Sequence, residues 1–226
     1  MSEVTMKLEY SLLLLGPSHL GSGYGRGLID RVVVRNASGS IYIPGSSIKG
    51  RVRATTEALA QGLGLKCCNP PHPENMCRED FCFSCNLFGS PRCGERLFFS
   101  DASLSQESQL AFDKQRAHRV PGQTQARTQV QLSRYRRVAQ DGLLFTSENA
   151  IGDLRLTGTI MGRVPNGQKE IPLFLAGLLA VNFLGGANSR GMGNCRFEIE
   201  RLLLDGHETD YQKILRQLAE SDERGA

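Results

Sequence analysis

No hydrophobic run in this 226-residue chain approaches the length of a membrane span, because SLLLLGP stops after its leucines. The acidic, polar start MSEVTMKLEY lacks the pattern of a signal peptide. These absences predict a cytoplasmic protein with no membrane partner. Acidic residues are absent from one stretch and nearly so from another. Between Asp113 and Asp141 there is none, while Lys114, Arg116, Arg119, Arg127, Arg134, Arg136 and Arg137 are basic. Such a stretch, rich in Gln and Thr with weak alternation, predicts a protruding solvated hairpin or loop that attracts an anion. Between Gly25 and Ala54 the single acid, Asp30, stands among at least five basic residues.

What is present is a hydrophobic content of 40%, enough to bury a core, and a formal charge of +4, which permits a nucleic-acid partner without requiring one. TMKLEYSLLLL puts Met6, Leu8, Tyr10, Leu12 and Leu14 on one face of a strand. A hairpin through RVVVRNASGSIYI leads to a helix capped by Ser46 or Ser47, with Ile48, Val52 and Leu59 at helical spacing and Gly62 and Gly64 at its end. RLFFSDASL (Arg96 to Leu104) and DLRLTGTIMG read as strands, EIPLFLAGLLAVNFL as a buried helix, and CRFEIERLLL as the last strand. A tail helix follows, with Tyr211, Ile214, Leu215 and Leu218 on one face. The order strand, helix, strand, strand, helix, strand predicts an α+β fold with a modified ferredoxin-like core of the kind used by RNA-recognition (RRM) domains. One domain, 1–226, carries a Cys-rich insertion at 65–95 and a basic insertion at 113–145, with no second domain and no internal repeat.

Six of the seven cysteines fall between Cys67 and Cys93. In a chain this size that clustering points to a metal site more than to disulfides. Cys82 and Cys85 form a C-x-x-C, the spacing with which two thiolates grip one tetrahedral zinc. Cys77 and one of Cys67, Cys68 or His72 complete four ligands, with Cys68 the expected fourth. Four protein ligands leave no open position for water, so the zinc is expected to be structural. The alternative is a set of free, partly buried thiols.

Two segments offer phosphate-binding chemistry. FLGGANSRGMGNCRFEI lets the backbone approach a ligand and supplies Asn188, Ser189 and Arg190, although a helix end followed by a hairpin turn explains it equally well. PGSSIKGRVRA places Lys49, Arg51 and Arg53 at the start of a helix, where free amides favour an anion.

IPGSSIKGRVRA after a basic hairpin, CFSCNLFGS closing a Cys-rich insertion, and LGGANSRGMGNCRFEI late in the chain occur in an order that resembles the RAMP superfamily, most closely the repeating backbone subunit of type III CRISPR effector complexes. The resemblance runs from GPSHLGSG to the last strand. It implies a subunit that stacks with neighbouring copies or paralogous RAMP subunits, and with other effector subunits, along a guide crRNA. Ser46, Ser47 and the Gly-rich loop would then hold guide phosphates. The 113–145 segment would be the thumb, with Tyr135 and Val138 suited to wedging between nucleotides and Arg134, Arg136 and Arg137 on the backbone. Ser133-Arg134 stands where the family usually has Asp-Arg.

GLIDRVVVR resembles the loop whose aspartate is required for cutting in cleaving members, which places that role on Asp30. A carboxylate there could hold Mg or Mn against a scissile phosphate of complementary target RNA, or orient the ribose 2'-hydroxyl. A salt bridge to Arg26, Arg31 or Arg51 is the competing expectation. His19 and Arg26 are expected RNA contacts. The competing functions are a scaffold that binds guide without cutting, a guide-processing ribonuclease, and a zinc-stabilised protein with no RNA partner.

Overall fold

The computed structural model describes residues 3–68, 72–117, 122–165 and 170–223. Chain order is β1 (Glu3–Leu14), β2 (Tyr42–Ile43), α1 (Gly45–Gly62), α2 (Phe83–Phe88), β3 (Leu97–Phe99), β4 (Ala102–Leu104), α3 (Gln106–Ala117), β5 (Thr124–Leu132), β6 (Ala139–Ala150), β7 (Leu154–Pro165), α4 (Glu170–Leu179), β8 (Cys195–Leu204), β9 (His207–Glu208) and α5 (Tyr211–Glu223). β1 lies between β7 and β8, antiparallel to both, in a sheet ordered β2-β4-β7-β1-β8-β9 with β3 also on β7. β5 and β6 form a separate antiparallel ribbon. The protein is thus a mixed α+β fold on an antiparallel sheet.

The alternation of β1 sets the layering. Met6, Leu8, Tyr10, Leu12 and Leu14 are buried and join Ile48 and Val52 of α1 and Phe174, Leu175 and Leu178 of α4 in one core. Each such side chain contributes roughly 1.5–3 kcal/mol by leaving water. On the opposite face Glu3, Thr5 and Lys7 are exposed, while Ser11 is buried and accepts at 2.9 Å from Arg155 of β7, which pairs with Glu198 at 3.1 Å and Glu200 at 3.3 Å of β8. No described helix is long and apolar enough to cross a membrane.

Several local expectations are corrected. Neither Ser46 nor Ser47 caps α1; Pro44 is the capping residue, and the Gly45 amide donates to Asp101 Oδ1 at 2.8 Å. The same aspartate explains why Arg96 to Leu104 is two strands. The chain turns at Ser100-Asp101 to bring that carboxylate to the helix, while the Ser100 amide and hydroxyl pair with Thr159 of β7. Leu59 is half-exposed, and Thr56 and Ala60 take the buried positions of the last turns. The hairpin through RVVVRNASGSIYI shrinks to a tight turn over Asn36 to Ser40, because Tyr42–Ile43 pairs with β4. α4 ends at Leu179, since Asn182 and Leu184 bond to Cys195 and Gly193 instead of continuing the helix. The basic ribbon runs to Ala150 and is preceded by α3.

Candidate nucleic-acid interface and metal centre

Asp30 sits on an exposed loop clamped to the base of the β5–β6 ribbon. Its amide donates to Thr146 O at 2.9 Å, and its carboxylate Oδ2 accepts from the Thr146 amide at 2.7 Å. Arg31 bridges Ser147, its carbonyl accepts from the Glu148 amide at 2.8 Å, and its guanidinium lies 5.6 Å from the centre of the Phe145 ring. Among the described residues Asp30 has no ion pair, so the salt bridge to Arg26, Arg31 or Arg51 is not formed. The loop folds back tightly at Gly25, where a Cβ would stand 2.9 Å from Asp30 O. Arg26 is exposed and pairs by backbone with Ile29 across the loop's tip.

His19 joins this loop to the Gly-rich segment. Its ring Nδ1 donates to Glu148 O at 2.8 Å. Its carbonyl accepts from the Gly186 amide at 3.0 Å. At Gly185 a φ of +86° and a Cβ position 2.4 Å from His19 O demand glycine. Asn188, Ser189 and Arg190 form an exposed single turn, and Arg190 Nη1 donates to Gln129 Oε1 of the ribbon at 2.7 Å. Asp30, His19, the Gly-rich loop and the ribbon therefore meet in one region. At the ribbon's tip Arg134, Tyr135, Arg136 and Arg137 are all exposed, Tyr135 by 96%. Ser133 and Val138 close the turn by a 2.9 Å backbone bond.

The basic residues of α1 are less available than their sequence suggests. Lys49 pairs with Glu95, and Arg53 pairs with Glu57 at 2.8 Å and donates to Gly89 O at 3.1 Å. Among the described residues Arg51 has no such partner, and its Nε is buried without an acceptor. Ser46 and Ser47 are exposed on the first turn.

The Cys-rich segment gathers Cys68, Cys77, Cys82 and Cys85, whose sulfurs lie within 4.8 Å of one another, with Cys68 and Cys85 3.3 Å apart. Bonds of about 2.3 Å to one tetrahedral ion place thiolates about 3.8 Å apart, so this group could hold a metal such as zinc. Neither Cys67 nor His72 belongs to it. Burial, with Cys82 and Glu57 nearby, pushes the Cys67 thiol up to about 11. For Cys82, burial works upward, but hydrogen bonds from the Cys68 and Cys85 amides and from neighbouring thiols bring it down to about 7. Cys82 precedes the first turn of α2 and Cys85 lies within it. The segment is fastened to α1 where Ser84 donates to the Glu57 carboxylate already held by Arg53.

Glu148 organises this region and was not foreseen from sequence. Its carboxylate accepts from Arg35 Nη2 at 2.5 Å, Thr124 Oγ1 at 2.7 Å and the Val33 amide at 3.1 Å. Burial favours its neutral form, but the bonds from Thr124, Arg35 and Val33 outweigh that and hold its carboxyl below the ordinary value of 4.5. A folded value below the unfolded one adds stability above pH 4.5 that is lost as pH falls through the lowered value. Glu148→Gln is expected to flatten that acid limb in urea melts taken from pH 6 to about 3, and to lower stability at pH 7 by about 1–3 kcal/mol.

Comparison with known proteins agrees with this architecture. Residues 11–196 match the RAMP superfamily. The chain is 31% identical over 204 residues to the CRISPR system Cms endoribonuclease Csm3 of Enterococcus italicus, covering 81% of this chain and 85% of that one. Its fold is shared by subunits of the type III-B Cmr-beta complex. The apo state gives a TM-score of 0.58 at 14% identity over 86% of this chain and 97% of that one. The complex bound to cognate target RNA gives 0.58 at 13%, over 85% and 96%. On the extent of the family match and the identity to that endoribonuclease, the chain belongs to the RAMP superfamily.

Proposed function

We propose that this protein is a crRNA-binding backbone subunit of a type III CRISPR ribonucleoprotein that cuts complementary single-stranded RNA in antiviral defence, with Asp30 as the catalytic residue. The strand order around β1, with α1 and α4 packed together, supports a modified ferredoxin-like, RRM-type core, and the β5–β6 ribbon supports a thumb. The observation that carries the functional reading is the placement of Asp30. Its carboxylate is exposed, paired with no cation among the described residues, and fixed by backbone bonds at the foot of that ribbon. A target strand splayed by the thumb would pass this carboxylate. Asp30 would help hold Mg or Mn, and such an ion supplies charge neutralisation at the scissile phosphate.

On this reading Ser46, Ser47 and Arg51 of α1, together with Asn188 and Ser189, contact guide phosphates, and His19 and Arg190 brace the junction between loop and thumb. Zinc, held by Cys68, Cys77, Cys82 and Cys85, folds the insertion without taking part in cutting. Base pairing with the guide supplies sequence specificity.

The test is to assemble the protein with guide RNA and its sister subunits and to add end-labelled complementary RNA with magnesium. Evenly spaced fragments that disappear with EDTA are expected. A complex that binds the target and leaves it whole would make the subunit a scaffold. Joint replacement of Arg134, Arg136 and Arg137 by alanine is expected to weaken RNA binding and to reduce the slope of log affinity against log salt by about 2, since each lost single-strand phosphate contact removes about 0.7.

A further inference from the structure

We infer that Tyr24 is a stacking platform for one nucleobase of the target strand, beside the phosphate presented to Asp30. This inference rests on the proposed guide-directed binding of target RNA.

Four observations carry it. Tyr24 is 78% exposed, so its ring is not a core element. Its backbone is nevertheless fixed: its carbonyl accepts from the Val32 amide at 3.1 Å, and its amide donates to Ser22 Oγ at 3.3 Å. The next pair of the same small hairpin is closed by the Ser22 amide donating to Val32 O at 2.9 Å. Finally, Tyr24 shares the lining of a cavity of about 340 Å³ with His19, Asp30 and Arg31.

An exposed aromatic ring on a rigid backbone loses little freedom when it meets a flat partner, which favours stacking. Unpaired RNA bases offer such faces whatever their identity, and stacking on aromatic side chains is a general way of holding a single strand. Arg31 lies on the Phe145 ring at the same site and keeps a positive charge near the strand without occupying the Tyr24 face. Tyr24 and Asp30 belong to one hairpin, so a base seated on the ring is registered against the carboxylate. That registration assigns the stacked base to the target strand and not to the guide.

The test uses complexes carrying Asp30→Ala, so that the strand stays whole, and target RNA with 2-aminopurine placed singly along the region facing one subunit. Stacking on the tyrosine ring quenches that fluorophore. Quenching at one position per subunit is expected, relieved several-fold by Tyr24→Ala and retained by Tyr24→Phe, with target bound to saturation in every case. Identical emission with Tyr24 and Tyr24→Ala at every position would overturn the inference, as would relief seen only when the fluorophore is in the guide. With Asp30 present, Tyr24→Ala should slow cutting about tenfold and Tyr24→Phe hardly at all. A complex that binds target without cutting would remove the cleavage reading, and the emission would still decide whether Tyr24 stacks. Absence of target binding would overturn both.

Discussion

Asp30→Ala is expected to slow guide-directed cutting of complementary RNA by about 10²–10⁴-fold, while the complex still assembles and binds its target. The asymmetry follows from how the carboxylate is held. Its one side-chain bond goes to the Thr146 amide, and the loop's remaining attachments are backbone bonds that alanine leaves in place. Loss of one exposed hydrogen bond should move the melting temperature by only about 2–4 °C. Asp30→Asn sharpens the result. An amide oxygen can accept the same bond from Thr146, so the loop keeps its shape and loses only charge. If the asparagine variant is as inactive as the alanine variant, charge at this position is what the reaction needs. Full activity in Asp30→Asn would reduce Asp30 to a loop staple. Single-turnover cleavage with magnesium, beside target binding and thermal melts of the same preparations, separates these outcomes.

The second large effect concerns the four-cysteine group. Elemental analysis is expected to return close to one zinc per chain, and Cys85→Ser to lose it. Cys85 is the buried member and lies 3.3 Å from Cys68, so a serine there cannot be accommodated by turning outward. Structural zinc carries about 10–16 kcal/mol of apparent binding free energy in small zinc peptides, and much of that is folding free energy. Here the segment is also tied to the core through Glu57 and Ser84, so only part of the loss should reach the whole domain. A global loss of about 3 kcal/mol corresponds to a fall of about 6–12 °C in Tm for a domain of this size. Protection of 72–95 from proteolysis should disappear together with the metal. Cys67→Ser, outside the group, should leave zinc content and Tm nearly unchanged. Protein that is metal-free as purified and melts unchanged after chelation would contradict the assignment.

The parts readable in the sequence were those whose physics is local. The alternation of β1 and the apolar faces of α4 put Leu8, Leu12, Phe174 and Leu178 in the core because burial is periodic along an element. The C-x-x-C spacing marked Cys82 and Cys85 because thiols three residues apart on one turn can converge on a single point. What escaped depends on partners distant in sequence. Nothing near Lys49 in the chain signals that Glu95 will claim it, and Asp101 gives no sign that it serves the Gly45 amide. Glu148 was hidden for the same reason, since His19, the Val33–Arg35 segment and Thr124 reach it from three separate parts of the chain. The position of Asp30 beside the ribbon was equally non-local: the family likeness named the residue, whereas only the fold reveals that Thr146 holds it.

On the proposed function, that attachment makes the protein a caliper. One jaw is the ribbon's tip around Tyr135 and the other is the loop bearing Asp30, which backbone bonds at Thr146, Ser147 and Glu148 tie to the ribbon. A measuring tool of this kind transmits length and ignores spelling. On the proposed function, the interval between the splayed nucleotide and the cut bond would be a property of the protein's own dimensions, and mutation of the invading sequence would not move it.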